Sequence, residues 1–142
     1  MLEDEGLEIL SDEDCRNLLD MARIGRVGVS IGAIPAIFPV NFALLNGDIV
    51  FRTATGTKLD AATQNSVVAF EVDRIDAVYE EGWSVFVVGT AEEVHDADEL
   101  ERVRHLDLRT WAEGARDHVV RIRPDFMSGR RIMHPPSGRA QG

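Results

Sequence analysis

Cysteine is almost absent from this chain of 142 residues, whose only thiol is that of Cys15. No internal disulfide can form, and a single thiol fits a reducing compartment. Long apolar runs are absent too, because the longest, around residues 85–88, is far too short to cross a bilayer. The first residues carry neither a basic start nor an apolar segment, so no secretory signal is expected. These absences predict a cytoplasmic protein without a membrane partner.

Basic side chains are also scarce. Lysine and arginine together number 15 against 25 aspartates and glutamates, which gives a formal net charge of -10. Such a field repels a phosphate backbone unless the basic residues cluster, so we expect no nucleic-acid partner. Much of the acid lies in residues 3–14 and 92–101, and both segments are typical of solvated surface.

The remaining composition fits one globular domain. Apolar residues make up 44% of the chain and charged residues 28%, which is ordinary for a soluble domain with a real core. We assign residues 1–10 to an N-terminal tail, residues 11–133 to the domain and the proline-rich residues 134–142 to a C-terminal tail.

The first predicted element is a helix that starts after Ser11. Ser11 can cap it, and an acidic residue three positions later completes a short capping box. Apolar residues then recur at helical spacing up to Ala22, and the helix is predicted to end near Gly25. Cys15 lies on this apolar face with no basic partner there, which favours a core position over a nucleophile.

The rest of the chain is mainly extended. Asn46-Gly47 is a strong two-residue hairpin signal, and Gly89 inside a long apolar run predicts a bend or bulge. Pro35 and Pro39 require an edge or a bulge, because proline lacks a donor for the strand ladder. Six strands are predicted, at residues 26–31, 34–45, 48–52, 66–72, 83–94 and 118–123, with short helices at 58–64 and 97–106. This order favours a mainly β (α+β) antiparallel barrel with peripheral helices over a Rossmann-type sheet.

The segment with the most chemical content is 51–59, Phe-Arg-Thr-Ala-Thr-Gly-Thr-Lys-Leu. A strand ends there, a loop of small residues follows, and a helix begins at Thr57-Lys58. Free backbone N–H groups and nearby cationic and hydroxyl side chains suit a phosphate, and Gly56 permits close approach. The alternative from chemistry alone is a capped helix with surface hydroxyls and a solvated lysine, since a single glycine does not make a Walker loop.

Two further segments are weaker signals. Asn41 is a polar side chain in the apolar stretch 38–42, where Pro39 frees one backbone position; a flat heteroaromatic ring or a simple bulged strand would both explain it. Trp83 and Ser84 begin the longest strand and fit either a ligand contact or a core aromatic with a neutral neighbour. The four histidines are scattered without ligand spacing, so no metal site is predicted.

Taken in order, these segments resemble the pyridoxamine 5′-phosphate oxidase-like superfamily of flavin-binding split barrels, in particular its short actinobacterial-type members. The resemblance covers residues 11–132 and implies a six-stranded antiparallel split β-barrel that forms a homodimer, with a flavin at the subunit interface. It implies that the backbone of residues 39–41 lies along the isoalloxazine ring. Arg52 and Thr53 would flank the ribityl chain and phosphate, and the second subunit would supply the strand that starts at residue 83. The implied cofactor-binding residues are Pro39, Val40, Asn41, Arg52, Thr53, Thr55, Gly56, Thr57, Lys58, Trp83 and Ser84.

Departures from the family pattern limit what the resemblance implies. Thr57 stands where the phosphate-gripping pair has an arginine, and Ser84 stands where longer enzymes have a glutamine. The C-terminal segment that completes the vitamin site in true pyridoxamine phosphate oxidases is missing, so that activity is not expected; the roles of Arg130 and Arg131 stay open. The prediction is an FMN-dependent oxidoreductase acting on an unknown small molecule. The alternatives are a deazaflavin-dependent reductase, which the acidic charge disfavours, and a non-catalytic flavin carrier or sensor.

Overall fold

The structure is a computed structural model that describes residues 7–106, 108 and 117–132. Its elements in chain order are β1 (Leu7–Ile9), α1 (Asp12–Met21), β2 (Ile24–Ile31), β3 (Ile34–Leu45), β4 (Asp48–Ala54), α2 (Lys58–Ala62), β5 (Ser66–Asp76), β6 (Glu81–Glu93), α3 (Ala97–Arg104) and β7 (Asp117–Ile132). None of the helices in these ranges is long and apolar enough to span a membrane.

The strands form an antiparallel barrel. Their order is β1-β7-β4-β3-β2-β5-β6, and an additional pairing of β6 with β7 closes the sheet. Six strands, β2 to β7, therefore make the barrel, and the six-stranded antiparallel prediction is confirmed. The short β1 was not predicted: it lies in the segment assigned to the N-terminal tail and pairs Leu7 with Ile132 at the far end of the chain. The predicted C-terminal tail, residues 134–142, lies outside the described residues.

Element ends differ from the prediction where tertiary contacts intervene. Helix α1 does start at a Ser11 cap, whose side chain accepts from the backbone N–H of Asp14 at 3.1 Å. It ends at Met21 rather than near Gly25, because Gly25 is already in β2 and pairs with Val40. A Cβ on this glycine would collide with the ring of Phe70, so the strand requires glycine here.

Two turns follow the predicted chemistry. Asn46 and Gly47 have φ values of 53° and 84°, as a primed two-residue hairpin turn requires. At Gly89 the pairing of β6 with β7 shifts register, which is the predicted bulge. Pro35 and Pro39 are exposed and lie where β3 pairs with β2 alone, since β3 meets β4 only from Phe42 onward. The predicted edge position of these prolines is confirmed.

The main core fills the barrel, and a second core lies outside it. Inside, the rings of Phe42 and Phe70 meet edge-on with centroids 4.9 Å apart. Cys15 is fully buried in this core, as predicted, and burial together with two nearby aspartates raises the pKa of its thiol. The second core forms where Val103 of α3 packs against the opposite face of β4 and β7. Strand β4 is thus covered on both faces.

Candidate functional site

The loop of residues 55–57, which joins β4 to α2, is the centre of the predicted phosphate site. Thr57 caps α2: its side chain accepts from the backbone N–H of Asp60 at 3.1 Å, and its hydroxyl donates to the carbonyl of Ala54 at 2.8 Å. The predicted cap is therefore present, and the Thr57 hydroxyl is engaged within the loop. Gly56 has a φ of 84°, a left-handed conformation that favours glycine, and Lys58 is exposed beside it.

A buried carboxylate lies under this loop, and the sequence analysis did not single it out. Asp60 is 6% exposed and accepts three hydrogen bonds: from the Thr53 hydroxyl at 2.8 Å, from Nδ1 of His118 at 2.7 Å and from the Gly56 N–H at 3.1 Å. Burial by itself would raise the pKa of Asp60, but these three donors together outweigh it and lower the pKa. Asp60 is therefore held as a carboxylate. We call these four residues the Asp60 cluster.

His118 is the second residue that the sequence analysis missed. It is the second residue of β7, where it pairs with Thr53 of β4, and its side chain is 31% exposed. The hydrogen bond to Asp60 raises the pKa of His118 above its ordinary value; burial opposes this, and the charges of Asp60 and Glu93 add to it. His118 consequently carries a positive charge over a wider pH range than a free histidine.

Neighbouring residues of β4 point to opposite faces of the sheet. Thr53 is 1% exposed and faces the barrel interior, whereas Arg52 points outward and forms an ion pair with Asp117 at 3.5 Å. The Nε of Arg52 is buried and has no acceptor among the described residues. The outer face thus offers an orphaned guanidinium donor, while the Thr53 hydroxyl is already used inside.

Strand β3 brings a second predicted residue to the same outer face. Phe42 pairs with Phe51, so Asn41 and Arg52 flank this pair on adjacent strands. Asn41 is half-buried, while the Val40 side chain is 3% exposed and faces the interior. Any contact of Val40 with a ligand on the outer face would therefore use its backbone atoms.

The two predicted residues of β6 lie apart from this group. Strands β2 and β5 separate β3 from β6, which at about 4.8 Å per strand is a distance of about 14 Å along the sheet. Only β7 separates β4 from β6, but Arg52 pairs with Val119 near the start of β7, whereas Trp83 pairs with Arg131 near its end. Trp83 packs partly against the main core, and Ser84 points to the opposite face. Within one chain, the fold therefore unites the residues of β3, β4 and the loop but does not bring Trp83 and Ser84 to them.

A cavity of ≈ 410 Å³ opens on the outer face between β3 and β6. Arg26, which pairs with Pro39, crosses it and binds Glu71 and Asp73, each at 3.0 Å. Burial, followed by the hydrogen bond and charge of Asp73, raises the pKa of Glu71 to about 7, although Arg26 opposes the shift. A carboxyl group that titrates near neutrality in a cleft is a candidate for proton transfer, and it was not foreseen from the sequence.

The same outer face carries a row of apolar residues across five strands. The register aligns Ile37, Gly28, Ala69, Val88 and Phe126 as successive neighbours. Ile37 is 71% exposed and Phe126 55%, so the row ends in two large apolar side chains that face solvent. Exposed apolar surface of this extent is typical of an interaction face.

The two arginines of uncertain role lie at the end of β7. Arg131 pairs with Trp83 of β6 and donates to Glu8 of β1 at 2.9 Å, beside a second cavity of ≈ 240 Å³. Arg130 is exposed on the adjoining position. Neither lies on the strands that carry Asn41 and Arg52.

Comparison with known proteins identifies relatives that cover nearly the whole chain. The family model described as pyridoxamine 5′-phosphate oxidase matches residues 11–131. An uncharacterised protein of Mycobacterium tuberculosis is 39% identical over 134 residues, which cover 91% of this chain and 87% of that protein.

Two solved structures are similar in both sequence and fold. The FAD binding protein from Mycobacterium smegmatis is 39% identical with a TM-score of 0.79, and the match covers 90% of this chain and 100% of that one. A putative pyridoxamine 5′-phosphate oxidase from Corynebacterium glutamicum is 36% identical with a TM-score of 0.76, covering 88% of this chain and 97% of that one.

Proposed function

Because this chain belongs to the pyridoxamine 5′-phosphate oxidase family, we propose that it is a flavin-binding protein that acts as an oxidoreductase on a small molecule. The observation that carries the proposal is the 39% identity to the FAD binding protein from Mycobacterium smegmatis, over 90% of this chain. When bound, a flavin supplies the electron-transfer chemistry, and the protein supplies position and electrostatics. The single cysteine supports a cytoplasmic location.

The residues of the outer face fit the polar parts of a flavin. The buried Nε of Arg52 has no acceptor among the described residues, and a phosphate or ribityl oxygen would accept a hydrogen bond from it. Asn41 stands on the next strand, and Lys58 is exposed at the end of the loop. The N–H groups of Gly56 and Thr57 already donate to Asp60 and Ala54, so Thr55, Gly56 and Thr57 would contribute mainly the shape of the loop and close approach of its backbone. Val40 and Thr53 would act through their backbones, since their side chains face inward.

We propose FMN as the first candidate, with FAD as the alternative that the relative from Mycobacterium smegmatis supports. Both carry the same ring, ribityl chain and first phosphate, so the residues of β3, β4 and the loop serve either cofactor.

We further propose that two copies of the chain assemble as a homodimer around the flavin. Trp83 and Ser84 lie about 14 Å along the sheet from β3 within one chain, so a second copy is the more direct source of these residues. The exposed apolar row ending in Ile37 and Phe126 supplies surface that such a dimer would bury.

Catalysis is favoured over a carrier role by the outer-face cavity. Glu71, with a pKa of about 7, exchanges a proton near neutral pH and lies one strand from Arg26, the partner of Pro39. A group of this kind could supply or accept the proton in proton-coupled redox chemistry on a bound substrate.

The proposal is tested by purifying the protein without added cofactor, recording its visible spectrum and titrating the apoprotein with FMN, FAD and riboflavin. We expect a flavin band or tight binding of FMN or FAD, with weaker binding of riboflavin because it has no phosphate. A colourless protein that binds none of the three would refute the function.

Variants test the site itself. Arg52→Met is expected to weaken FMN binding about tenfold or more, the worth of one charge-assisted hydrogen bond. Arg104→Met is the matched control, because Arg104 is an exposed residue of α3 whose partner is Glu101. Equal affinities of the two variants would remove Arg52 from the site. Sedimentation of the wild type as a monomer at micromolar concentration would refute the dimer.

A further inference from the structure

The Asp60 cluster fixes the shape of the loop that we assign to the flavin phosphate. Asp60 binds the Thr53 hydroxyl on β4, the Gly56 N–H in the loop and His118 on β7. These bonds join three segments that are distant in sequence, and the Gly56 N–H bond is the one that reaches the loop itself. Loss of the carboxylate would remove the Gly56 bond and leave the contacts of Thr57 with Ala54 in place.

Charge is as important as shape at this position. A carboxylate that is 6% exposed, immediately below a loop that receives a phosphate, repels that phosphate through a poorly screened medium. His118 is the one cation in direct contact with Asp60 among the described residues, at 2.7 Å. While His118 is protonated, the pair is neutral and the loop tolerates an anion. A neutral His118 can keep the hydrogen bond but leaves the negative charge of Asp60 uncompensated.

The surroundings of His118 reinforce its charge. Glu93 of β6 approaches Nδ1 at 3.8 Å, which favours the protonated ring. Asp117, its neighbour on β7, is engaged by Arg52 of β4, and the exposed His95 lies 3.6 Å from Glu93. Within the described ranges, the titratable and charged groups around His118 are therefore Asp60, Glu93, Asp117, Arg52 and His95.

We propose that Asp60 and His118 are positioning residues of the flavin phosphate loop, and that loss of the His118 proton weakens flavin binding. The inference rests on the proposed function, since it concerns the same site. It assigns these residues no contact with the reacting ring; they act through the loop and its charge.

The experiment is a titration of the apoprotein with FMN between pH 5.5 and 9, followed by quenching of flavin fluorescence. We expect the dissociation constant of the wild type to rise about tenfold as His118 loses its proton, the scale of one partly screened unit charge. His118→Asn is expected to bind weakly at every pH, without this step. Asp60→Asn is expected to keep a step but to move it to lower pH, because His118 loses the partner that raises its pKa.

His95→Asn is the matched control. His95 is 78% exposed and shares Glu93 with His118 but does not touch Asp60, so this variant should keep the step. FMN itself titrates near pH 6, and its contribution is common to all four proteins and cancels in the comparison. Amide exchange of the Gly56 N–H in the flavin-free protein gives an independent readout: protection in the wild type and faster exchange in His118→Asn.

The outcomes separate the two proposals. If the wild type binds neither FMN nor FAD at any pH, the proposed function fails and this inference falls with it. If the wild type binds FMN but its affinity follows the same pH profile as that of His118→Asn, the positioning role is wrong while the flavin site stands. A step that vanishes in His95→Asn would likewise overturn the assignment to His118.

Discussion

The buried hydroxyl of Thr53 provides a stringent test of the Asp60 cluster, because replacing it with valine removes one hydrogen bond and little volume. Thr53 is 1% exposed and donates to the Asp60 carboxylate at 2.8 Å. A hydrogen bond to a charged acceptor contributes about 1.5–3 kcal/mol to stability. Thr53→Val is therefore expected to lower the free energy of unfolding of the flavin-free protein by about 2 kcal/mol.

The same figure predicts a shift in melting temperature. A chain of this length has an unfolding entropy of roughly 0.3 kcal/mol/K, so the melting temperature should fall by about 7 °C. Urea denaturation at pH 7 measures the free energy directly, and calorimetry measures the temperature. Thr90→Val is the matched control, because Thr90 is half-buried in β6 and its hydroxyl makes no hydrogen bond within the described part of the chain.

The pH dependence of the free energy of unfolding provides a second check on Thr53→Val. The pKa of Asp60 is lowered by folding, so its contribution to stability is present above the unfolded value near ~4 and is lost as the pH falls through the folded pKa. The stability difference between wild type and Thr53→Val should thus narrow in acid. A difference below about 0.5 kcal/mol at pH 7, or one no larger than that of Thr90→Val, would refute the described geometry.

Two further predictions concern the sheet. Gly89→Ala should prevent folding or lower the free energy of unfolding by about 3 kcal/mol or more, because a Cβ at the bulge would collide with the carbonyl of Arg123. Gly28→Ala is the control: its Cβ would lie at an ordinary 3.4 Å from that of Ala69, and the cost should be less than about 1 kcal/mol. Comparable yields and urea midpoints for the two variants would contradict this prediction. Glu71→Gln should flatten the pH dependence of stability, since a carboxyl whose pKa is raised to about 7 binds a proton in the folded state that the unfolded state has released, so stability falls as the pH rises from ~4.5 to ~7. Urea midpoints across that window check it, and an unchanged slope in the variant would show that Glu71 is not the responsible group.

Local sequence signals account for most of the fold. The Asn46-Gly47 turn, the Gly89 bulge and the Ser11 cap each depend on residues within one turn or strand, and all three occur as predicted. The missed strand β1 has three residues and no pattern of its own, since it exists through its pairing with β7. The helix end at Met21 was misplaced for a related reason: packing of Gly25 against Phe70 starts the next strand early.

The candidate site also contains residues that the sequence indicates and residues that only tertiary contacts reveal. The sequence could indicate the loop, its Thr57 cap and the outward polar residues of β3 and β4, because chain order and strand periodicity specify them. It could not reveal that the Asp60 carboxylate is buried or that His118, 58 residues later, holds it. That contact depends on the register that sets Thr53 opposite His118, and no local pattern encodes a register between distant strands.

The sequence by itself determined the six barrel strands, the turns between them and the family, because each follows from local propensity or from residues in chain order. Only the tertiary structure decided which side chains titrate abnormally. Glu71 of β5 and Asp60 of α2 are both acidic residues, yet the pKa of Glu71 is raised and that of Asp60 is lowered. Burial acts on both in the same direction, and the difference comes from their partners. An acidic neighbour reinforces the shift at Glu71, whereas three donors reverse it at Asp60, and those partners are brought together only when the barrel closes.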